Sequence, residues 1–428
     1  MIRKLLIFLI TVLPLCACSD DFKNLGTETS VDAVLTVTMP EEVNPEAVSD
    51  ARFSLYNIAT GATTLLNGTE CRTSLMPGLY DIEFSATEQL PNGPKATIRA
   101  YLGSVTITAE GTNSVTLSAF RNIATDDLII AEIFFTGTMR PSGNAYTGDT
   151  YIKLYNNTDH VIYADGLTLF ESKFLTTQNV NPQPNVMAEA VSVDALYTIP
   201  GNGTDVAVQP GEFLLLADVA IDHRVLNPNS LDLSHADFEW YDESSTPSTT
   251  DIDNPDVPNL DKWYCYTLSV WLLHNRGFKA YGLARIQKER EDFLRDNYYE
   301  YDYTMVTSAG SFPMTQTAYR LPNAWVVDVV NLSVQSDFQW LVTAPELDMG
   351  WAYCGTINND KTRYFTSVRR RVAGFDAAGR MILEDTNNSS ADFNSQVVPS
   401  EIELQGTAMD VNGTPASAIT LDGVTPMQ

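Results

Sequence analysis

Catalysis needs a nucleophile with a base, two acids in a cleft, or a cluster of metal ligands, so the histidines and acid runs come first. The four histidines, His160, His223, His235 and His274, are scattered, and no two share a ligand spacing such as H-E-x-x-H or H-x-H. No G-x-S-x-G elbow, phosphate-binding loop or dinucleotide fingerprint is present. Asp251, Asp253, Asp256 and Asp261 fall in one run. The first three are calcium candidates, because hard cations take carboxylate and carbonyl oxygens. The run lacks the EF-hand spacing, its glycine and its closing glutamate, so a solvated loop is the plainer account. The expectation is a protein that is not an enzyme and has no cofactor, calcium being the one alternative.

The aromatics Trp263, Tyr264, Tyr266 and Trp271, with the run Tyr298 to Tyr303, admit two uses. Exposed rings beside Asp and Asn make a sugar-binding or protein-binding surface, for which Trp263, Tyr264, Tyr266, Trp271 and Tyr298 are the candidates. Aromatics at period two also fill sandwich cores. Tyr299, Tyr301 and Tyr303 fit the inner face of a strand, with Tyr298, Glu300 and Asp302 on the other. Arg369-Arg370-Arg371 reads as a strand with Arg369 and Arg371 on one side, paired to acids. Of the five cysteines, Cys265 and Cys354 could pair in an oxidising compartment, but buried free thiols are the preferred reading.

The chain carries 54 acidic against 26 basic residues, a formal net charge of −28. Such a surface repels phosphate backbones and anionic headgroups, which argues against nucleic acid as a partner. With 428 residues the chain can bury a sizeable core and form two or three domains.

Arg3 and Lys4 precede a short apolar core from Leu5 to Leu15, well under the roughly 20 residues a bilayer crossing requires. Residues 1–17 therefore read as a secretory leader. Leu15, Ala17 and Cys18 resemble the lipobox of bacterial lipoproteins, in which the cysteine thiol is acylated and becomes the new N-terminus. The resemblance implies lipidation at Cys18, a tether over residues 18–28 and membrane anchorage by acyl chains. Ser19-Asp20-Asp21 resembles the acidic export signal of many Bacteroidetes lipoproteins, implying an outer-membrane location facing the exterior.

The elements beyond the tether are mainly strands. Over residues 29–121 the period is two, as at Val31, Ala33, Leu35 and Val37, with Pro and Gly dividing six or seven short strands. Tyr56, Tyr80 and Phe84 are expected in its core. The Thr60-Gly61 turn and Met76-Pro77-Gly78-Leu79-Tyr80 resemble transthyretin-like and carboxypeptidase-regulatory-like domains, which implies a small sandwich used as a spacer. Arg121 to Asp126 reads as a polar hinge.

From residue 122 to 428 the segments Ile129–Phe135, Tyr151-Ile152-Lys153-Leu154-Tyr155-Asn156-Asn157-Thr158, Pro210-Gly211-Glu212-Phe213-Leu214-Leu215-Leu216-Ala217 and Ser367-Val368-Arg369-Arg370 resemble the lamin-tail domain, with Lys153 where glutamate is usual. The fold expected is mainly β, two immunoglobulin-like antiparallel β-sandwich domains. The second is enlarged by an insertion at about 222–310 that includes an amphipathic helix over 279–296. The whole arrangement resembles a Bacteroidetes surface lipoprotein family of unknown function. That resemblance implies a non-enzymatic binding or accessory component, with a TonB-dependent receptor as partner. An adhesin, or an accessory or cryptic hydrolase on glycans or phosphate esters, is the alternative.

Overall fold

The computed structural model describes residues 30–90, 95–122, 125–246, 249–267, 269–307 and 310–406. The leader, Cys18 and the acidic stretch after it lie outside them. The alternation at the start of the chain becomes the strand Val31–Thr38, which lies between Glu70–Leu75, antiparallel, and Asn113–Ser118, parallel. Facing it is a five-stranded sheet in the order Thr63–Asn67, Val48–Asn57, Gly78–Gln89, Lys95–Ile107, Phe120–Asn122. Period two sends Phe53, Leu55, Tyr80, Ile82, Phe84, Ile98 and Ala100 inward to one core. Tyr80 and Phe84 are therefore core residues, as expected, but Tyr56 is 39% exposed. It belongs to the opposite, polar face with Asp81, Glu83, Arg99 and Tyr101, which are half-buried.

The segment read as a hinge is tied on both sides. Arg121 pairs with Glu88 at 2.8 Å, and Thr125 donates its hydroxyl to the carbonyl of Val327 at 3.2 Å.

Beyond it, two sheets face each other, the first antiparallel but for one parallel pair at its edge and the second antiparallel in all its pairings. One runs Phe238–Glu239, Phe213–Ala217, Tyr151–Tyr155, Ile129–Phe134, Ser367–Arg370, Phe393–Val397. In the other, Leu167–Ser172 lies between Ala190–Thr198 and Ala280–Arg285, and Val326–Asn331 pairs with the latter. Ala190–Thr198 divides its outer edge between Asp261–Cys265 and the hairpin Tyr298–Thr307/Gly310–Pro322. Ile130, Ile133, Ile152, Leu154, Leu169, Tyr197, Leu216 and Leu283 fill the space between the sheets. The chain is thus a β-sandwich-rich protein.

The expected helix over 279–296 is two elements: the strand Ala280–Arg285 and a short helix, Arg290–Asp296. The strand is covered on both faces, so its sequence carries an unbroken apolar run instead of an alternation. Gly282 permits that covering. A Cβ there would stand 2.3 Å from Phe170 Cζ and 2.7 Å from the carbonyl oxygen of Asp328. Gly282→Ala should therefore lower unfolding free energy by about 1–3 kcal/mol in urea titration.

The arginine run is also corrected. Arg369 and Arg370, instead of Arg369 and Arg371, are the arginines held by buried acids, and as neighbours on Ser367–Arg370 they face opposite ways. Arg369 meets Glu403 at 2.7 Å and Arg370 meets Asp328 at 2.6 Å. Lys153, Glu132 and Arg369 stand side by side on three neighbouring strands. The helix Ser400–Gln405 lays Glu401 and Glu403 against the two cations. This accounts for a lysine at position 153: the opposing charge is supplied by the C-terminal helix. Cys265 and Cys354 are buried free thiols, and burial pushes the Cys354 thiol up to about 12.

Candidate functional site

The aromatic residues singled out in the sequence do not form one open patch. Trp271 is fully buried, stacked on Tyr197 at 4.7 Å, and its indole N–H donates to Glu171 at 3.2 Å. It is a core residue. Trp263 and Tyr264 are half-buried and pack on Phe293 and Tyr319. Tyr266 and Tyr298 are 48% and 47% exposed; the first is capped by the Lys279 ammonium, and the second meets Tyr319 edge-on. In the run that follows, Tyr299 and Tyr301 point inward, as alternation requires. These rings mostly seat the hairpin on the sheet.

The calcium candidates also stand apart. Asp251 accepts from the backbone N–H groups of Asp242 and Ile252, and Asp253 accepts from the Asn259 amide. Asp256 is exposed. Among the described residues no three His, Cys, Asp or Glu side chains converge as a metal ion requires. The histidines are spread likewise: His223 bonds Tyr146, His235 bonds Glu401, and His274 stacks on Phe278.

Space for a ligand lies elsewhere, in a cleft of about 740 Å³ between the polar face of the first sandwich and the segment 335–353 of the second. One wall carries Tyr56, Asp81, Glu83, Tyr101 and Ser104 from successive strands of the five-stranded sheet. The other carries Gln335, Phe338, Gln339, Trp351 and Tyr353. Phe338 and Trp351 are stacked, with centroids 5.2 Å apart and planes at 19°, and Tyr353 leans on Trp351 at 5.8 Å. Nothing in the local sequence marks this wall except the period-two pair Trp351 and Tyr353.

The aromatic wall is irregular backbone, and a buried carboxylate holds it in place. Asp348 accepts from the backbone N–H groups of Asn331, Gly350 and Ser389 at 2.8, 3.0 and 2.8 Å, and from the Ser389 hydroxyl at 2.6 Å. Gly350 passes so close to the segment behind it that a Cβ would stand 2.2 Å from Asn388 Oδ1. Ser390 then clamps the backbone of Trp351, its hydroxyl accepting from the backbone N–H and donating to the backbone carbonyl, both at 2.9 Å. Burial pushes the Asp348 carboxyl up to about 6 despite five donors, the Asn331 side-chain amide at 3.0 Å being the fifth. Asp348→Ala would strand those donors. The expected loss is about 1–3 kcal/mol by urea unfolding, with a change in tryptophan emission as the wall loosens.

On the facing wall, burial raises the Asp81 carboxyl, and the Ser104 N–H at 2.8 Å and the Tyr101 hydroxyl pull it back. Burial likewise raises Glu83, which Arg99 on the adjacent strand opposes. Burial lowers the Arg99 guanidinium, and Asp392 of the second sandwich and Glu83 sustain its charge. The arrangement offers aromatic faces and a few polar groups to a ligand of moderate size.

A family described as "Protein of unknown function (DUF4876)" matches residues 209–400. That stretch contains the aromatic wall and none of the facing one. No curated protein matches the chain. The crystal structure of a DUF4876 family protein from Bacteroides thetaiotaomicron VPI-5482 is similar at 19% identity and a TM-score of 0.53, over 91% of this chain and 99% of that one. The chain is thus similar, over residues 209–400, to a family of unknown function, and shares its fold with a Bacteroides protein of that family.

Proposed function

We propose that the protein is an outer-membrane lipoprotein, anchored through Cys18 and facing the exterior, that binds a ligand in the inter-sandwich cleft without transforming it and serves a TonB-dependent uptake system. The observation that carries the binding role is the aromatic wall of Phe338, Trp351 and Tyr353 set opposite Asp81 and Glu83 across a cleft of about 740 Å³. A sandwich used only as a spacer has no need of rings held half-exposed by a dedicated buried carboxylate.

The location rests on the sequence before residue 30: the leader, the Leu15-Cys16-Ala17-Cys18 motif and the acids behind it. A hydrolytic reading has one observation in its favour, the carboxylates of Asp81 and Glu83 on one strand face. Asp81 already accepts from Ser104 and Glu83 has Arg99 beside it, so neither is poised as an acid–base partner of the other.

The test uses the full chain in outer membranes. A fatty-acid probe should label wild type and not Cys18→Ala. A photo-crosslinking residue at Gln335, on the exposed rim, should recover a TonB-dependent barrel. Capture of a host or matrix protein instead would make the protein an adhesin, and an unlabelled wild type would remove the anchor.

A further inference from the structure

The cleft has a definite chemical bias. We infer that its ligand is a neutral glycan, one sugar ring lying on Trp351 with its hydroxyls held by Glu83, Gln335 and Gln339. This rests on the cleft being the binding site, and it adds the class of molecule bound.

Charge narrows the choice first. None of the described residues lining the cleft is basic, whereas Asp81 and Glu83 are acidic. Phosphorylated, sulfated or uronate ligands would meet repulsion with no cation to receive them. A cationic ligand needs uncompensated negative charge. A cation would have to compete with Arg99 for Glu83 and with the Ser104 N–H and the Tyr101 hydroxyl for Asp81.

Polarity narrows it further. Among the described residues no side chain or N–H donates a hydrogen bond to Glu83, and Gln335 is exposed at the rim. Gln339 uses its amide oxygen for the Asn179 N–H at 2.9 Å, which leaves its NH₂ group for a ligand. A wholly apolar ligand would bury these groups unpaired, at a cost of about 1–3 kcal/mol each. A ligand with many hydroxyls pairs with them, because planar carboxylate and amide ends accept and donate to neighbouring hydroxyls together.

The aromatic faces supply the complementary half. The negative face of an indole attracts the weakly positive C–H bonds on the flat side of a sugar ring. The Phe338–Trp351 stack fixes the plane of that platform, and the Ser390 clamp fixes its position.

The full chain in detergent is run by affinity electrophoresis through gels containing starch, β-glucan, mannan, xylan or the acidic polymer pectate. Tryptophan fluorescence is titrated with the matching oligosaccharides. At least one neutral glycan should retard wild type and not pectate alone. Trp351→Ala should weaken that binding about ten-fold or more, and Glu83→Gln or Gln335→Ala by less. Should Trp351→Ala not melt cooperatively, Gln335→Ala, at an exposed side chain on the rim, carries the comparison. No retardation by any neutral polymer, preference for pectate, or retardation unchanged in all three variants would overturn the assignment. If the Gln335 crosslinker still captures a barrel when no glycan binds, the ligand class alone fails; if it captures nothing either, the uptake role fails with it.

Discussion

Arg370→Met is expected to destabilise the second sandwich by about 3–5 kcal/mol, because it leaves a nest of buried carboxylates without a cation. The guanidinium meets Asp328 at 2.6 Å, Asp385 at 3.2 Å and Asp392 at 3.7 Å, and also donates to the carbonyls of Ile130 and Glu384. Burial works against its charge, and the three aspartates more than restore it. Asp328 lies on Val326–Asn331 in one sheet and Arg370 on Ser367–Arg370 in the other, so the ion pair staples the sandwich. Asp385 also accepts from the Thr125 N–H of the linker at 3.4 Å. Urea unfolding followed by circular dichroism reads the effect, and a loss under about 1 kcal/mol would mean the aspartates find other partners.

Lys153→Met should cost a similar amount, about 3–5 kcal/mol, and release the C-terminal helix. Lys153 Nζ lies 2.5 Å from Glu401 and 2.9 Å from the Ser400 hydroxyl, all buried. Ser400 also donates, through its hydroxyl and its N–H, to Glu132. Removing both charges in Lys153→Met/Glu401→Leu should recover most of the loss, since no unpaired charge is left from the Lys153–Glu401 pair and the exposed His235 ring can turn to water in place of Glu401.

The pH dependence follows from the same contacts. Burial would raise the Glu401 carboxyl, but the His235 hydrogen bond and the Lys153 charge hold it down to about 2. Its contribution is complete above the unfolded value of 4.5 and is lost as pH falls towards 2. The Glu401 hydrogen bond raises His235, so that share is complete below 6.5 and fades as pH climbs through the raised value. Helix docking should be firmest between these limits. Hydrogen exchange of residues 400–405 across pH 3–8 measures it, and protection that only rises with pH would contradict the His235 share.

The legible part of the fold is the part with one wet face. Val31–Thr38 and Gly78–Gln89 alternate because one side meets water, and the pattern survives in the residues. Ala280–Arg285 has no wet face, so its apolar run reads as helix. The arginine run shows that paired acids can be anticipated from composition. Which acids they are cannot, because Asp328 and Glu403 lie 42 and 34 residues away. The cleft was hidden for the same reason: Glu83 and Trp351 come from distant segments that meet only after both sandwiches form. Trp271 lies between Val270 and Leu272 and joins the main core, its burial permitted because its N–H donates to Glu171.

The strand Val31–Thr38 runs alongside Asn113–Ser118 in the same direction, and both its edges are bonded. A pull applied ahead of Val31 therefore acts along the strand and must break its whole ladder of hydrogen bonds at once, whereas an antiparallel terminal hairpin would peel bond by bond. Drag from flowing fluid or a moving partner would then be carried through the first sandwich without opening it.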